Sequence, residues 1–232
     1  GVPAVGLLDG TLILWSLIGQ TFPDFVRDEI LSNRLIPALD RLKRVGADRK
    51  IAVMSYVSAP GSTDVINAIR ISKEVCKFDH VNCDVNCGTL AKGQRNCDEV
   101  GGLTDADFFG KVLAVGERSG IFRTTSSIVS DYYDQHQIYF CYVNVGEEIA
   151  RLEMPQWVAQ DDDLVGFAHS GILSQATKGY GYPLVLQEAH EQAVITMGDR
   201  KLFDQLLEQC LAADRLPAST SEKSRSKRTR FV

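Results

Sequence analysis

The sequence predicts a mixed α/β fold, in which a β-sheet with parallel and antiparallel strands is flanked by helices. Short apolar runs alternate with helical patterns along the first third of the chain, an arrangement that favours parallel strands joined by helices. Two strand patterns, at residues 137–145 and 148–154, meet at Gly146-Glu147 and predict a hairpin. A hairpin pairs antiparallel, so both kinds of pairing are expected in one sheet.

The first element is a buried strand at residues 3–8, because the run is continuously apolar and stops at Asp9-Gly10. Apolar residues at helical spacing then predict a long helix at residues 23–44. Pro37 lies inside that pattern, so it should kink the helix or begin a second one. Residues 50–58 form the next apolar run and predict the second strand.

A helix capped by Ser62 or Thr63 is expected to run towards residue 75. Residues 76–103 have no clear period and are interpreted as a cysteine-rich insertion. Thr104 and Asp107 have the spacing of a capping pair, which predicts a short helix reaching residue 113. After the hairpin, periodic patterns predict helices at residues 162–177, 184–197 and 200–213.

Composition narrows the functional class. No apolar run approaches the ~18 residues that a membrane span requires, and no secretory signal is visible, so a cytoplasmic protein is expected. Phosphate-binding glycine loops are also absent, which argues against ATP and dinucleotide chemistry. The net charge is −5, but residues 216–232 are basic and are interpreted as a solvated tail that could also touch DNA.

Two segments carry candidate catalytic groups. Asp9 follows a buried strand, where a carboxylate can face Mg²⁺ or Mn²⁺ from a rigid support, although Asp-Gly after a strand is often only a turn. In a helix at 184–197, Gln187, His190 and Glu191 share one face, and Tyr182 lies just ahead of it. His190 could bind a metal or transfer protons, or could simply be exposed on an amphipathic helix.

Three arginines are candidates for phosphate contacts: Arg118, Arg123 and Arg151. Salt bridges that stabilise loops are the structural alternative for the first two. Arg151 points to the same strand face as Glu153, so that pair could line a cleft or pack within the sheet.

Cys76, Cys83, Cys87 and Cys97 fall within the insertion. Four thiolates in one loop could bind Zn²⁺ or an iron–sulfur cluster. Their spacing matches neither paired zinc knuckles nor a ferredoxin run, so free thiols or disulfides are alternatives.

Five segments in a fixed order carry a family resemblance: Leu8-Asp9-Gly10-Thr11-Leu12, Gly116-Glu-Arg-Ser119, Phe140 to Val145, Arg151-Leu-Glu-Met-Pro155 and, above all, Gly181-Tyr-Pro-Leu184 followed by Glu188-Ala-His190. In this order they resemble the NurA family of DNA repair nucleases. It implies an RNase H-like domain at residues 1–215 that cuts DNA with Mn²⁺ or Mg²⁺. The implied assembly is a homodimer that works with a HerA-type hexameric ATPase in double-strand break repair.

Carried over by motif, Asp9 would be a metal-binding carboxylate, and Tyr182 and His190 would belong to the same site. Family members also carry an earlier aspartate strand and a glutamate, and neither is found before Asp9. The sequence is therefore expected to lack an N-terminal portion, which puts the activity of this chain by itself in doubt. A non-catalytic module that docks a partner and a nuclease acting on RNA or hybrids are the alternative functions.

Overall fold

A computed structural model describes residues 2–17 and 22–215 of the chain. These fall into two compact units, Gly1–Glu188 and Ala189–Val232. The basic tail expected at residues 216–232 lies outside the described residues. In the described part of the chain, no helix is both long enough and apolar enough to cross a membrane.

The first unit is built on a five-stranded mixed sheet with the order β1-β2-β5-β4-β3. Its strands are β1 (Ala4–Asp9), β2 (Ile51–Val57), β3 (Phe122–Arg123), β4 (Ile138–Asn144) and β5 (Ile149–Pro155). β1 pairs parallel with β2, and the other neighbouring strands pair antiparallel. The predicted mixed α/β fold, including the hairpin of β4 and β5, is confirmed.

A helical crossover joins the two parallel strands. It consists of α1 (Asp24–Ile30), a π-helical turn (Leu31–Leu35) and α2 (Ile36–Arg49). Pro37 lies in the first turn of α2, where its missing N–H costs little. The wider π turn just before it accommodates the proline ring, so Pro37 begins a new helix rather than breaking the path.

The segment after β2 is more divided than its sequence pattern suggests. It forms α3 (Asp64–Arg70), α4 (Lys73–Cys76), α5 (Cys83–Cys87), a 3₁₀ turn (Asn96–Val100) and α6 (Asp105–Val112). Thr104 and Asp107 form the predicted capping box. Thr63 precedes α3 but makes no side-chain cap. The remote carboxylate of Asp105 accepts hydrogen bonds from Val65 N and Ile66 N instead.

Helices cover both faces of the sheet, because β4 directs alternate side chains to opposite sides. Two short helices, α7 (Ser127–Tyr132) and α8 (Gln156–Ala159), precede the long helix α9 (Asp162–Lys178) in the chain. Cys141 and Val143 pack in a core with β2, β5 and α9. Phe140 and Tyr142 face the other way and pack with Phe109 of α6. Burial on both faces explains why β2 and β4 read as nearly continuous apolar runs. The prediction that the first strand is buried is wrong, because β1 lies at the edge of the sheet and its residues are half-buried or exposed.

The predicted helices near the C-terminus exist, with shifted boundaries. α10 (Leu184–Gln192) ends earlier than expected, and α11 (Met197–Ala213) begins earlier. Thr196 and Asp199 form a capping box that starts α11, a signal that the sequence contains but that the predicted boundary at residue 200 missed. In the second unit, α11 exposes the apolar side chains of Leu202, Phe203, Leu206 and Leu207.

Candidate functional site

Asp9 stands at the carboxyl edge of the two parallel strands. It is the last residue of β1 and lies opposite Tyr56 of β2. Gly10 follows with φ of 87° and donates its N–H to Tyr56 O at 2.9 Å. The left-handed glycine turns the chain away directly after Asp9. An exposed carboxylate is thus fixed at the end of a rigid strand, the position where open α/β sheets commonly bind ligands.

Tyr182 is brought to Asp9 across a separation of 173 residues, and its hydroxyl donates to Asp9 Oδ1 at 2.9 Å. The turn before it includes Gly181 with φ of 110°, and a Cβ at that position would lie 2.7–2.8 Å from Glu147 side-chain atoms. Only glycine therefore fits there without displacing the β4–β5 turn. The predicted association of Tyr182 with Asp9 is present in the structure as a direct hydrogen bond.

The phenol of Tyr182 is a donor at ordinary pH. Burial, together with the neighbouring Asp9 carboxylate, raises the pKa of Tyr182 to about 12. The hydroxyl consequently stays protonated and orients the Asp9 carboxylate rather than competing with it for a cation.

Tyr56 packs against the ring of Tyr182 and is itself held by a hydrogen bond to Glu148. The Tyr56 ring meets the Tyr182 ring edge-on, with centroids 5.5 Å apart. Tyr56 is buried, and its hydroxyl donates to Glu148 Oε1 at 2.7 Å, while Glu148 Oε2 accepts from Ser58 Oγ and Ala59 N at 2.6 and 2.9 Å. Burial and Glu148 raise the pKa of Tyr56. Glu148, which the sequence did not single out, is a positioning residue with both oxygens engaged.

A buried ion pair holds the chain that leaves the Asp9 turn. Glu153 Oε2 accepts hydrogen bonds from Thr11 Oγ1 at 2.7 Å and from Leu12 N at 2.9 Å. Its other oxygen accepts from Arg151 Nε at 3.0 Å. Glu153 and Arg151 are 2% and 4% exposed. Thr11 therefore anchors the turn after Asp9 to the centre of the sheet.

Arg151 is engaged inside the protein, which argues against its predicted contact with DNA. Its Nη1 donates to Asp64 and, at 3.3 Å, to Tyr142 Oη, and its guanidinium lies 3.8 Å from the Phe140 ring centroid. Of the two alternatives for the Arg151–Glu153 pair, packing within the sheet describes the geometry. Alternation along a strand showed that the two side chains share a face but not that helices cover this face.

Arg118 and Arg123 lie on the side of the sheet formed by β4 and β3, whereas Asp9 ends β1 at the opposite edge strand. Arg118 is half-buried and donates to Ser119 O at 3.2 Å, and Arg123 is exposed. Their phosphate contacts stay predictions.

His169 of α9, which lies near Arg118, is expected to make the stability of the folded protein depend on pH. Burial and Arg118 lower the pKa of His169, against the opposing effect of a hydrogen bond to the Gly116 backbone. The unfolded chain therefore binds this proton more readily than the folded one. The stability contribution is fully present above the ordinary histidine pKa of about 6.5 and is lost as pH falls through the lower folded-state pKa.

We expect the urea unfolding free energy to fall between about pH 7.5 and pH 5, and to fall less in His169→Gln than in the unsubstituted protein. His80→Gln, which removes an exposed histidine, is the control and should keep the full pH dependence. Equal pH dependence in all three proteins would show that His169 does not contribute.

His190 lies in the last turn of α10, is exposed and belongs to the second unit. Its membership of the Asp9 site stays a prediction. Cys76, Cys83, Cys87 and Cys97 line a single cavity in the first unit. Among the residues that the structure describes, no three side chains of His, Cys, Asp or Glu are grouped as they would be around one metal ion.

A comparison with known protein families identifies the family of this chain. A NurA domain model matches residues 2–195. The chain belongs to the NurA domain family. That span contains Asp9, Tyr182 and His190, and the family resemblance drawn from the sequence motifs is confirmed.

Among solved structures, the NurA domain is similar to the NurA nuclease from Sulfolobus solfataricus, with 14% sequence identity and a TM-score of 0.41. The match covers 90% of this chain and 60% of the archaeal one, so the chain spans about three fifths of that protein's length. A comparison with curated proteins gave no match.

Proposed function

We propose that this NurA domain is part of a metal-dependent DNA nuclease that hydrolyses phosphodiester bonds, with Asp9 as one of its metal-binding carboxylates. The observation that carries the proposal is the family match over residues 2–195, which includes a carboxylate held at the carboxyl edge of parallel strands by a hydrogen bond from Tyr182. Fold similarity by itself would not justify an activity.

The chemistry of Asp9 fits Mn²⁺ or Mg²⁺. Hard divalent cations prefer carboxylate oxygens, and Mg²⁺ is commonly bound by one or two carboxylates together with water and substrate phosphate. The described residues do not supply a cluster of three ligands, so Asp9 accounts for part of the ligand set. When bound, such a metal activates water and stabilises charge on the phosphate.

The other residues of the proposed site orient Asp9 or assist it in catalysis. Tyr182 fixes the Asp9 carboxylate, and Tyr56, held by Glu148, supports the Tyr182 ring. We assign His190 to the same site as a ligand or proton-transfer group, since it lies in the matched span and imidazole serves both purposes.

DNA is the proposed substrate, bound mainly through its backbone phosphates, so little sequence preference is expected. Arg118 and Arg123 are the proposed contacts, and Arg151 is left out because it is 4% exposed. As the family resemblance implies, the proposed assembly is a homodimer with a HerA-type hexameric ATPase that processes ends at double-strand breaks.

One observation favours a different function, that of a non-catalytic docking module. α11 exposes Leu202, Phe203, Leu206 and Leu207, which follow helical spacing. Exposed apolar side chains in such a row are typical of surfaces that bind a partner. Under this alternative, the protein binds its partner ATPase and cuts nothing.

The deciding experiment measures cleavage by the protein produced from its natural start. Single-stranded DNA, double-stranded DNA, RNA and RNA–DNA hybrids are incubated with it in Mn²⁺, in Mg²⁺ and in EDTA. We expect DNA to be cut with either metal and not in EDTA, and binding to weaken as salt rises. Preferential cutting of RNA or hybrids would favour the RNase alternative. A folded protein that cuts none of the four would favour the docking module.

A further inference from the structure

A second candidate site lies in the first unit, in the cysteine-rich insertion. A cavity of about 270 Å³ is lined by Cys76, Cys83, Cys87 and Cys97, and by Arg70 and Arg95. The remaining cysteines of the described chain lie elsewhere, Cys141 in β4 and Cys210 in α11. Nothing in the proposed nuclease function requires this cavity, and the inference drawn from it does not depend on that function.

Short elements bring the four thiols together. Cys76 ends α4, and Cys83 and Cys87 begin and end α5, where a separation of four residues places them on one helix face. Asn82 caps α5 by accepting from Val85 N at 3.2 Å. Cys97 lies in the 3₁₀ turn, which Asn96 ties to α4 by donating to Cys76 O at 3.4 Å.

The insertion has almost no apolar core of its own. Across residues 71–103, all of which the structure describes, the buried residues are Cys76 and Cys87. Helices of four or five residues are not stable by themselves. A segment that buries so little apolar surface usually requires a metal or a covalent link to hold its fold, and the four cysteines are free thiols.

The charges around the cavity indicate an anionic occupant. Arg70 Nη2 lies 4.0 Å from Cys97 Sγ. The Nε atoms of Arg70 and Arg95 are buried and, in the described structure, have no hydrogen-bond acceptor. Both arginines are otherwise half-buried, and the carboxylate of Asp98 interacts electrostatically with both. A metal centre with four thiolates would add negative charge on the side of the cavity and offer sulfur acceptors to the two Nε atoms.

The four cysteines can bind a metal only in the thiolate form. Four thiolates facing one cavity repel each other, and a bound metal removes that repulsion because the thiolate is the form that binds.

The size of the cavity favours a cluster over a single ion. In a tetrahedral zinc site, Zn–S bonds of about 2.3 Å place the sulfurs only about 3.8 Å apart. Among the described residues no three such side chains are grouped as they would be around one metal ion, whereas the four cysteines line a cavity of about 270 Å³. We propose that Cys76, Cys83, Cys87 and Cys97 ligate a [4Fe–4S] cluster that links α4, α5 and the 3₁₀ turn to one another. Binding releases the four thiol protons and leaves each sulfur bonded to one iron.

The test uses full-length protein that is purified without oxygen and then reconstituted with iron and sulfide. We expect about four irons and four acid-labile sulfides per chain, with the visible absorption and low-temperature electron paramagnetic resonance after reduction that such clusters show. Hydrogen exchange in residues 71–103 should rise when the cluster is removed by chelation. Because this arm uses the unsubstituted protein, it does not depend on whether variants fold.

Cys76→Ser, Cys83→Ser, Cys87→Ser and Cys97→Ser are each expected to lose the iron and sulfide, whereas Cys210→Ser, a change at an exposed cysteine, should retain both. Retention of a full cluster by the four single variants would overturn the assignment. So would one zinc per chain with no iron after reconstitution, disulfides among the four cysteines in the anaerobic protein, or the absence of any bound metal.

Discussion

Asp9→Asn in the full-length protein is expected to lower Mn²⁺-dependent DNA cleavage by at least about 10³-fold, because a bound metal supplies several kcal/mol of transition-state stabilisation. The amide keeps the shape of the side chain and can still accept from Tyr182, whose hydroxyl lies 2.9 Å from Asp9 Oδ1. Circular dichroism and the urea midpoint should therefore stay unchanged. The readout is the initial rate of cleavage as a function of Mn²⁺ concentration.

Tyr182→Phe should have a smaller effect of a different kind. Removing the hydroxyl leaves Asp9 charged but less well oriented, and losing a residue that orients a metal ligand typically costs about 10–100-fold in metal affinity or activity. Raised Mn²⁺ should restore part of the rate in Tyr182→Phe and none in Asp9→Asn. His190→Ala should also lower the rate if His190 belongs to this site.

Asp48→Asn is the matched control. Asp48 is exposed in the last turn of α2, just before the start of β2. It therefore lies near the amino ends of the two parallel strands, whereas Asp9 lies at their carboxyl ends. It should cut DNA at the unsubstituted rate. If Asp9→Asn cut as fast as Asp48→Asn, Asp9 would have no part in the reaction and the metal assignment would fail.

The largest expected loss of stability comes from Glu153→Ala. The substitution leaves Arg151, at 4% exposure, with the exposed Asp64 as its remaining carboxylate partner, and removes the acceptor of Thr11 Oγ1 and Leu12 N. Breaking a buried ion pair by removing one partner costs about 3–5 kcal/mol, a large part of the stability of an ordinary domain. Urea unfolding should report this decrease, together with a loosened turn after Asp9.

Glu188→Ala, at an exposed position of α10, is the control and should change the unfolding free energy by less than about 0.5 kcal/mol. The double variant Glu153→Leu with Arg151→Met should be more stable than Glu153→Ala, because it removes the buried guanidinium together with its buried partner. A double variant no more stable than Glu153→Ala would mean that lost hydrogen bonds to the turn, rather than the loss of one of the two partners of Arg151, dominate the cost.

The sequence predicted those parts of the fold whose signals are local. The strand ending at Asp9, the hairpin around Gly146 and the capping box of α6 each depend on neighbouring residues. β3, only two residues long, exists because it pairs with β4, and a partner distant in sequence leaves no periodicity. The cap of α3 was mispredicted for a similar reason, since Asp105 from another element, rather than Ser62 or Thr63, accepts from its first N–H groups.

The residues of the candidate site show the same contrast between those that local motifs indicate and those that depend on distant contacts. Asp9 and Tyr182 were found from motifs, and their hydrogen bond agrees with that grouping. Glu148 was missed because a glutamate after a hairpin turn looks like any exposed turn residue until Tyr56 is placed beside it. Arg151 was misjudged because strand alternation gives the face of a side chain but not what covers that face.

The contact between Tyr182 and Asp9 spans 173 residues of chain. At common rates of synthesis, a ribosome requires about 9 to 35 s to add that length after it has added Asp9. Throughout that interval the carboxylate has no tyrosine to orient it, and until Pro155 is added the sheet that carries it also lacks a complete β5. A nascent chain is thereby kept from assembling this arrangement until most of the first unit has been translated.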